Sequence, residues 1–296
     1  MPSPRPLRVI VLAGQCRSVA DPFAERFGMR HKYLVPLHGR PLVAHLLRML
    51  AAHDRVASLV ICVEREAFDA IYDLMAGMPG HRTVRLLEAR GNVTDSVLAA
   101  AEGWQGPLIV TTADHALLRP EAIDAVADAL EGADAAVAVA RREDVIAADP
   151  ETRRRFHQFR DDAYAGCHLY GLNLYGLTGP QALRAAGLFR DGGHSARNAV
   201  RVVRAFGVVN LLLLRFRLVS LATGLGRISR RIGLRIAPVV LPDGTQAIAV
   251  DNDRAYAVAA GLMAPAEEPR SEPLPHAIGT PRVLAPIVPK VARTSG

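Results

Sequence analysis

The chain has 296 residues, half of them hydrophobic, with a formal net charge of +7. This is the upper end of the range for one α/β domain and supplies ample apolar side chains, which excludes a disordered chain or a small disulfide-stapled scaffold. Three cysteines, Cys16, Cys62 and Cys167, form no CxxC pair, so a zinc site and a disulfide framework are disfavoured and a reducing, cytoplasmic setting is expected.

The opening MPSPRPLRVIVLAG runs into a strand pattern with no secretory signature, and export is not expected. Strand-type runs at residues 8–13, 57–63, 83–87, 107–112 and 134–140 alternate with helical patterns at 41–53, 65–76, 94–104 and 120–131. That alternation predicts βαβ units around a mostly parallel sheet covered on both faces, with ligands at the carboxyl ends of the strands. Helix starts are expected at Thr94-Asp95 and at Pro120-Glu121. Further on, the pattern predicts a strand over 168–178, a helix after Pro180, an arginine-rich stretch over 195–233, and short strands over 235–241 and 246–250. Residues 1–263 are read as one folded domain. Residues 264–296, rich in proline, are read as a disordered tail.

Three features carry chemistry. The first strand exits at Leu12-Ala13-Gly14, where a glycine lets backbone N–H groups approach a phosphate chain. Lys32 follows, one of only two lysines among the 36 Lys and Arg residues. A compact ammonium kept among so many guanidinium groups points to phosphate, the alternative being chance in an arginine-biased chain. Neither GxGxxG nor GK[ST] is present, which disfavours the dinucleotide-binding and P-loop folds. The second feature is Leu108-Ile109-Val110-Thr111-Thr112-Ala113-Asp114-His115, an apolar strand ending in a carboxylate suited to magnesium over a nucleotide. Asp114 could instead cap a following helix. The third is Ala247-Ile248-Ala249-Val250-Asp251-Asn252-Asp253, whose acids could meet Asp114 over one cation. Asp251 is the better candidate and Asp253 the expected cap of the last helix. The histidines His31, His38, His45, His81, His115, His157 and His168 show no metal-ligand spacing and read as surface or core residues.

The order LAG, then KYLVPLHGRPL, then TTADH, then VDNDR is similar to nucleotidyltransferases that resemble molybdenum-cofactor guanylyltransferase and the sugar-1-phosphate nucleotidyltransferases. The resemblance covers roughly residues 7–260. It implies a three-layer α/β/α sandwich with a mostly parallel central sheet, the glycosyltransferase-A-like nucleotidyltransferase fold, over the catalytic domain 1–263. The implied reaction joins a nucleoside monophosphate from an NTP to a phosphorylated small-molecule acceptor and releases pyrophosphate, with Mg2+ as cofactor. Residue by residue, it implies nucleotide binding by Leu12, Ala13, Gly14, Arg17, Lys32, Gly91 and Ser96, catalysis by Lys32 and Asp114, and metal binding by Asp114 and Asp251. Acceptor contacts are implied at Asn173, and Arg190 and Arg197 are candidates beside it. Where that family carries GGxxxRMG, this chain has GQCRSVADPFAERFGMRHK, a longer loop in which Arg17 is the arginine available for the triphosphate.

The charge is unevenly spread, because residues 192–242 contain nine arginines and no acidic residue. Arg197, Arg201 and Arg204 share one helical face, which a solvated surface would explain. Acceptor binding is a second reading. The third, which we favour, is peripheral contact with an anionic membrane by residues 207–233, on the inner membrane face. Nucleic acid is not an expected partner, since aromatics are scarce and no reader motif occurs. The sequence therefore predicts a cytoplasmic, Mg2+-dependent nucleotidyltransferase, CTP being the preferred donor and lipid headgroup or envelope synthesis the preferred setting. The alternatives are a nucleotide-sugar-dependent glycosyltransferase of the same fold, disfavoured because Thr112-Ala113-Asp114 lacks paired DxD acids, and a catalytically inactive membrane-associated binding module.

Overall fold

The computed structural model describes residues 5–14, 21–78, 83–173, 207–263 and 283–284. Its centre is a sheet ordered β10-β7-β9-β6-β1-β4-β5-β11. The strands are β1 (Leu7–Leu12), β4 (Val56–Val63), β5 (Thr83–Glu88), β6 (Pro107–Thr112), β7 (Ala135–Arg141), β9 (Ala163–Asn173), β10 (Ile236–Leu241) and β11 (Val283–Leu284), with β8 (His157–Gln158) pairing on β9. Along this path every pairing is parallel except those of β9, which runs antiparallel to both β6 and β7. The carboxyl ends of β1, β4, β5, β6 and β7 therefore share one edge, where a parallel sheet presents its ligands.

Continuous apolar runs form these strands because both faces are covered. Leu7, Val9 and Val11 of β1 meet one helical layer, α2 (Leu42–Ala52), α3 (Phe68–Ala76) and α5 (Pro120–Gly132). Ile10 of β1, Val60 and Cys62 of β4, and Leu108 and Val110 of β6 face the other layer, where Ala100 of α4 (Val93–Ala101) is buried. The result is a three-layer α/β/α sandwich. Proline opens α5 as expected. The start of α4 differs, since Asn92 accepts from the Asp95 amide and caps the helix ahead of Thr94-Asp95. Cys62 and Cys167 are free and buried, and burial pushes both thiols up to about 12.

A smaller cluster ties the C-terminal part to the N-terminal part. Phe23 of α1 (Pro22–Glu25) and partly buried Phe27 pack on Tyr256 of α9 (Asp253–Leu262), whose hydroxyl donates to the Pro36 carbonyl at 2.8 Å. Pro36 belongs to a small hairpin of β2 (Pro36–Leu37) and β3 (Arg40–Pro41).

Two expected strands need correction. Residues 246–250 form no strand: Gly244–Ala247 is a 3-10 turn, and Ala247, Ile248, Ala249 and Val250 are apolar because they are buried. The turn is pressed against α6 (Arg142–Ala148), where a Cβ on Gly244 would lie 2.0 Å from the Asp144 carbonyl oxygen. The strand expected over 168–178 begins at Ala163 instead, and residues 174–178 lie outside the described residues, as does the helix expected after Pro180. Within residues 207–233 the chain forms α7 (Val208–Arg215) and α8 (Leu221–Ile232).

Candidate active site

Lys32 begins a 3-10 turn, Lys32–Leu34, that the next residue anchors. Tyr33 is fully buried and donates its hydroxyl to Glu64 at 2.9 Å, with the His31 ring stacked on it. With Tyr33 fixed inward, Lys32 reaches the carboxyl edge of the sheet, and its Nζ donates to Asp114 Oδ2 at 2.5 Å. Asp114 follows β6 in a turn rather than capping a helix and is only 6% exposed. Burial pushes its carboxyl pKa up, but the Lys32 ammonium in contact, with smaller contributions from Thr112 and His168, holds it below its ordinary value. Its second oxygen, Oδ1, is buried with no hydrogen-bond partner.

The third acidic segment arrives beside Asp114 through the backbone. The Val250 amide donates to the Asp114 carbonyl at 2.9 Å. Buried Gln246 fixes this approach by donating to the Leu117 carbonyl at 2.9 Å and accepting from the Arg119 amide at 3.1 Å. Asp251 is therefore the next residue after a direct link to Asp114, and its exposed carboxylate is held by Asn252 at 2.6 Å. Asp253 is committed elsewhere, to Arg26. The last helix is capped by Asn252 rather than by Asp253.

The histidine reading of the sequence missed one member of this edge. β9 carries a bulge opposite β7 between Val137 and Val139, and within it His168 has a left-handed backbone, φ 50°. Such a bulge re-aims a side chain that regular pleating would send elsewhere. His168 is half-buried and accepts a hydrogen bond from Arg154 at 2.6 Å. Burial, then the Arg154 charge, lowers its pKa, while the Asp114 and Asp251 carboxylates act in the opposite sense. The glycine at Gly166, inside a strand pattern and facing Val139 at the edge of the bulge, is the one cue the sequence offered. His115 is fully buried with Thr111 Oγ1 at 3.3 Å, and burial lowers its pKa to about 4.

Other expected residues fall as follows. The amides of Ala13 and Gly14 both donate to the Cys62 carbonyl, at 2.9 and 3.0 Å, so neither amide is free for a phosphate as the sequence reading expected. A Cβ on Gly14 would meet the Ala89 Cβ at 2.3 Å, which fixes glycine there by close approach. Gly91 is exposed in the loop after β5, at the same edge. Ser96 is buried, and its hydroxyl shapes that loop by accepting from the Arg90 amide at 2.8 Å and donating to the Asn92 carbonyl at 3.2 Å. Asn173 does not join the site: it pairs with Pro107 at the amino end of β6, about 20 Å from Asp114 at the usual strand rise, and its amide donates to the Leu130 carbonyl. The antiparallel direction of β9 is the reason, because it carries the end of that strand away from the ligand edge. Arg17, Arg190 and Arg197 lie outside the described residues.

Among the described residues no group of three or more His, Cys, Asp or Glu side chains is placed to hold a metal. Magnesium does not need one, since it is commonly held by one or two carboxylates with phosphate oxygens and water completing six positions. The orphaned Asp114 Oδ1 fits that donor set, and Asp251 is the neighbouring carboxylate. The edge thus combines one ammonium, one buried carboxylate with a spare oxygen and a second acid, which suits the handling of a polyphosphate with a divalent cation.

The fold and this edge define a nucleotidyltransferase-type α/β protein. The chain belongs to the family of MobA-like NTP transferase domains, which it matches over residues 9–184, and is accordingly a transferase enzyme. Among solved structures it is similar to a hypothetical transferase from Thermus thermophilus, with 26% identity, a TM-score of 0.65, and coverage of 85% of this chain and 99% of that one. Its fold is also shared by the 4-diphosphocytidyl-2C-methyl-D-erythritol synthase of Anaerococcus prevotii, at 8% identity and TM-score 0.56, covering 88% of this chain and 98% of that one. The same holds for a CMP:2-keto-3-deoxy-manno-octonic acid synthetase solved with CTP, at 11% identity, TM-score 0.50, and 88% and 98% coverage. No curated protein matches the sequence.

Proposed function

We propose that this enzyme transfers a nucleoside monophosphate from an NTP, with CTP the favoured donor, to a small phosphorylated acceptor and releases pyrophosphate. The observation that supports this most is the contact of the Lys32 ammonium with a buried carboxylate that keeps one oxygen unpartnered. Two relatives of the fold are named for cytidyl transfer or were solved with CTP, at identities that speak to architecture alone.

Two like unit charges about 4 Å apart repel by roughly 4 kcal/mol at an effective dielectric near 20, so an anionic acceptor meeting an α-phosphate requires cations. Asp114 and Asp251 would hold Mg2+, which supplies charge neutralisation on the triphosphate. Lys32 neutralises phosphate oxygens once the nucleotide draws its ammonium from Asp114. Gly14 lets the β1 exit pack directly on Ala89, which sets the floor of the nucleotide site, and the loop from Gly91, braced by Ser96, flanks the base and ribose. No covalent protein intermediate is required, because alignment and electrostatic stabilisation suffice for in-line attack. Incubation with each of the four NTPs, Mg2+ and a panel of phosphomonoesters, read as pyrophosphate release, tests the proposal. Pyrophosphate release only with CTP and a phosphorylated acceptor supports it, whereas no pyrophosphate from any NTP, with nucleoside diphosphate released when a nucleotide sugar replaces the NTP, favours glycosyl transfer.

A second reading concerns location, as a cytoplasmic protein resting on an anionic membrane face. Val208, Val209, Leu212, Phe216 and Leu218 are each about half exposed or more, beside Arg215 and Arg217. Apolar side chains set among arginines suit an anionic lipid interface. No helix among the described residues is long and apolar enough to cross a membrane.

A further inference from the structure

β6, which delivers Asp114, has β1 on one side and β9 on the other. The elements assigned above to the nucleotide, the β1 exit and the loop after β5, lie on the β1 side. The β9 side holds a pair that this assignment leaves unused, Arg154 and His168. Arg154 is half-buried and, among the described residues, faces no carboxylate, whereas Arg55, Arg235 and Arg254 each pair with an aspartate. Its described side-chain partner is His168 Nε2, at 2.6 Å. A guanidinium is always charged and donates only, so Nε2 is the acceptor and the imidazole proton sits on Nδ1. The pair therefore presents a guanidinium with no carboxylate partner among the described residues and an N–H donor beside the strand end that carries Asp114, because Leu169, next to His168, pairs with Thr111 of β6.

We propose that Arg154 and His168 form the binding site for the acceptor's phosphate monoester, on the β9 side of Asp114. This rests on the nucleotidyltransferase reading and specifies its second substrate. A planar fork with several donors suits phosphate, and the bulge that turns His168 toward the edge supplies the additional donor. With Nε2 occupied by Arg154, His168 serves as a donor and not as the base. The nucleophile accordingly arrives already ionised: a phosphate oxygen of the acceptor forms a bond to the α-phosphorus, the bridging α–β P–O bond breaks, and its electron pair leaves with pyrophosphate. No proton has to be removed by the protein.

Thermal unfolding with inorganic phosphate as the probe, in the presence and absence of saturating CTP and Mg2+, tests the assignment. Phosphate is expected to raise the melting temperature of the nucleotide-bound wild type, and Arg154→Gln to weaken its apparent affinity about tenfold or more. His168→Phe weakens it less, His168→Asn restores part of the loss through its amide donor, and Arg154→Lys, which keeps the charge, retains binding and guards against misfolding of Arg154→Gln. Lys32→Met is expected to lose the nucleotide-dependent shift while keeping the phosphate-dependent one. The assignment is overturned if the wild type shows no phosphate shift, if CTP competes that shift away, or if Arg154→Gln binds phosphate as the wild type does. An Arg154-dependent phosphate shift without any nucleotide shift keeps the anion site and removes the nucleotidyl-transfer reading.

Discussion

Lys32 and Asp114, 82 positions apart, meet with Nζ on Oδ2 at 2.5 Å while Oδ1 of the same carboxylate stays buried and unpartnered. The ammonium keeps the carboxylate ionised inside the protein, and the spare oxygen remains for a cation.

Removing either partner should expose that coupling. Lys32→Met leaves Asp114 buried without its counter-charge and should cost about 1–3 kcal/mol of stability. Asp114→Asn should cost less, because the Lys32 ammonium it leaves behind is partly exposed and can keep water, and the double variant should be more stable than the sum of the two singles. Urea denaturation in chelator measures this cycle; strict additivity would show that the pair contributes nothing. On the proposed reaction, either single variant should lower turnover by at least about 10²-fold with circular dichroism unchanged.

His115 gives the protein an acid-sensitive window. Burial, followed by the nearby His168 charge, lowers its folded pKa to about 4, below the ordinary 6.5. Between these values the unfolded chain binds more protons, so stability present above pH ~6.5 is lost progressively as pH falls toward ~4, by about 3 kcal/mol at most. His168 is also lowered and titrates in the same direction, whereas Asp114 acts below this range. His115→Gln should flatten the pH dependence of the unfolding free energy between pH 4 and 6.5 without abolishing it. An unchanged slope contradicts the assignment.

The segment that delivers Asp251 depends on two buried residues. Gly244→Ala would drive a Cβ to 2.0 Å from the Asp144 carbonyl oxygen, and it should destabilise by about 1–3 kcal/mol or more. Gln246→Leu leaves the Leu117 carbonyl and Arg119 amide without their partner, about 1–3 kcal/mol by the cost of unpaired buried groups. On the proposed metal role of Asp251, it should also raise the Mg2+ concentration needed for nucleotide-dependent stabilisation. A calorimetric Mg2+ titration identical to wild type would remove the link between this brace and the metal.

The exposed apolar side chains of α7 and of Phe216 and Leu218 just after it are expected to bind vesicles containing phosphatidylglycerol at low salt and to release them at high salt. Flotation assays on the wild type and on Leu212→Glu/Phe216→Glu compare directly. Equal flotation of both, or none by the wild type, excludes that face as the contact.

Much of the architecture was readable from local pattern. Apolar runs of strand length alternating with amphipathic helices placed β1, β4, β5, β6 and β7, because residues buried on both faces must be continuously apolar and helices that cover them must not be. Of the charged candidates, Asp114 follows a strand as expected, whereas Lys32 lies on a 3-10 turn and Asp251 follows a buried loop. The run Ala247 to Val250 misled, since burial in a loop selects the same residues as burial in a sheet. Asn173 misled because strand direction is not written in a strand's composition: β9 runs antiparallel and takes it to the far edge.

By itself the sequence determined the layered α/β class and which charged residue types were on offer, since hydrophobic period and residue chemistry are local properties. Only the tertiary structure decided which of those groups meet. The contact of Lys32 with Asp114, the backbone link from Val250 and the bulge that turns His168 toward Arg154 all arise from strand order, register and packing between distant segments, and no local propensity encodes those.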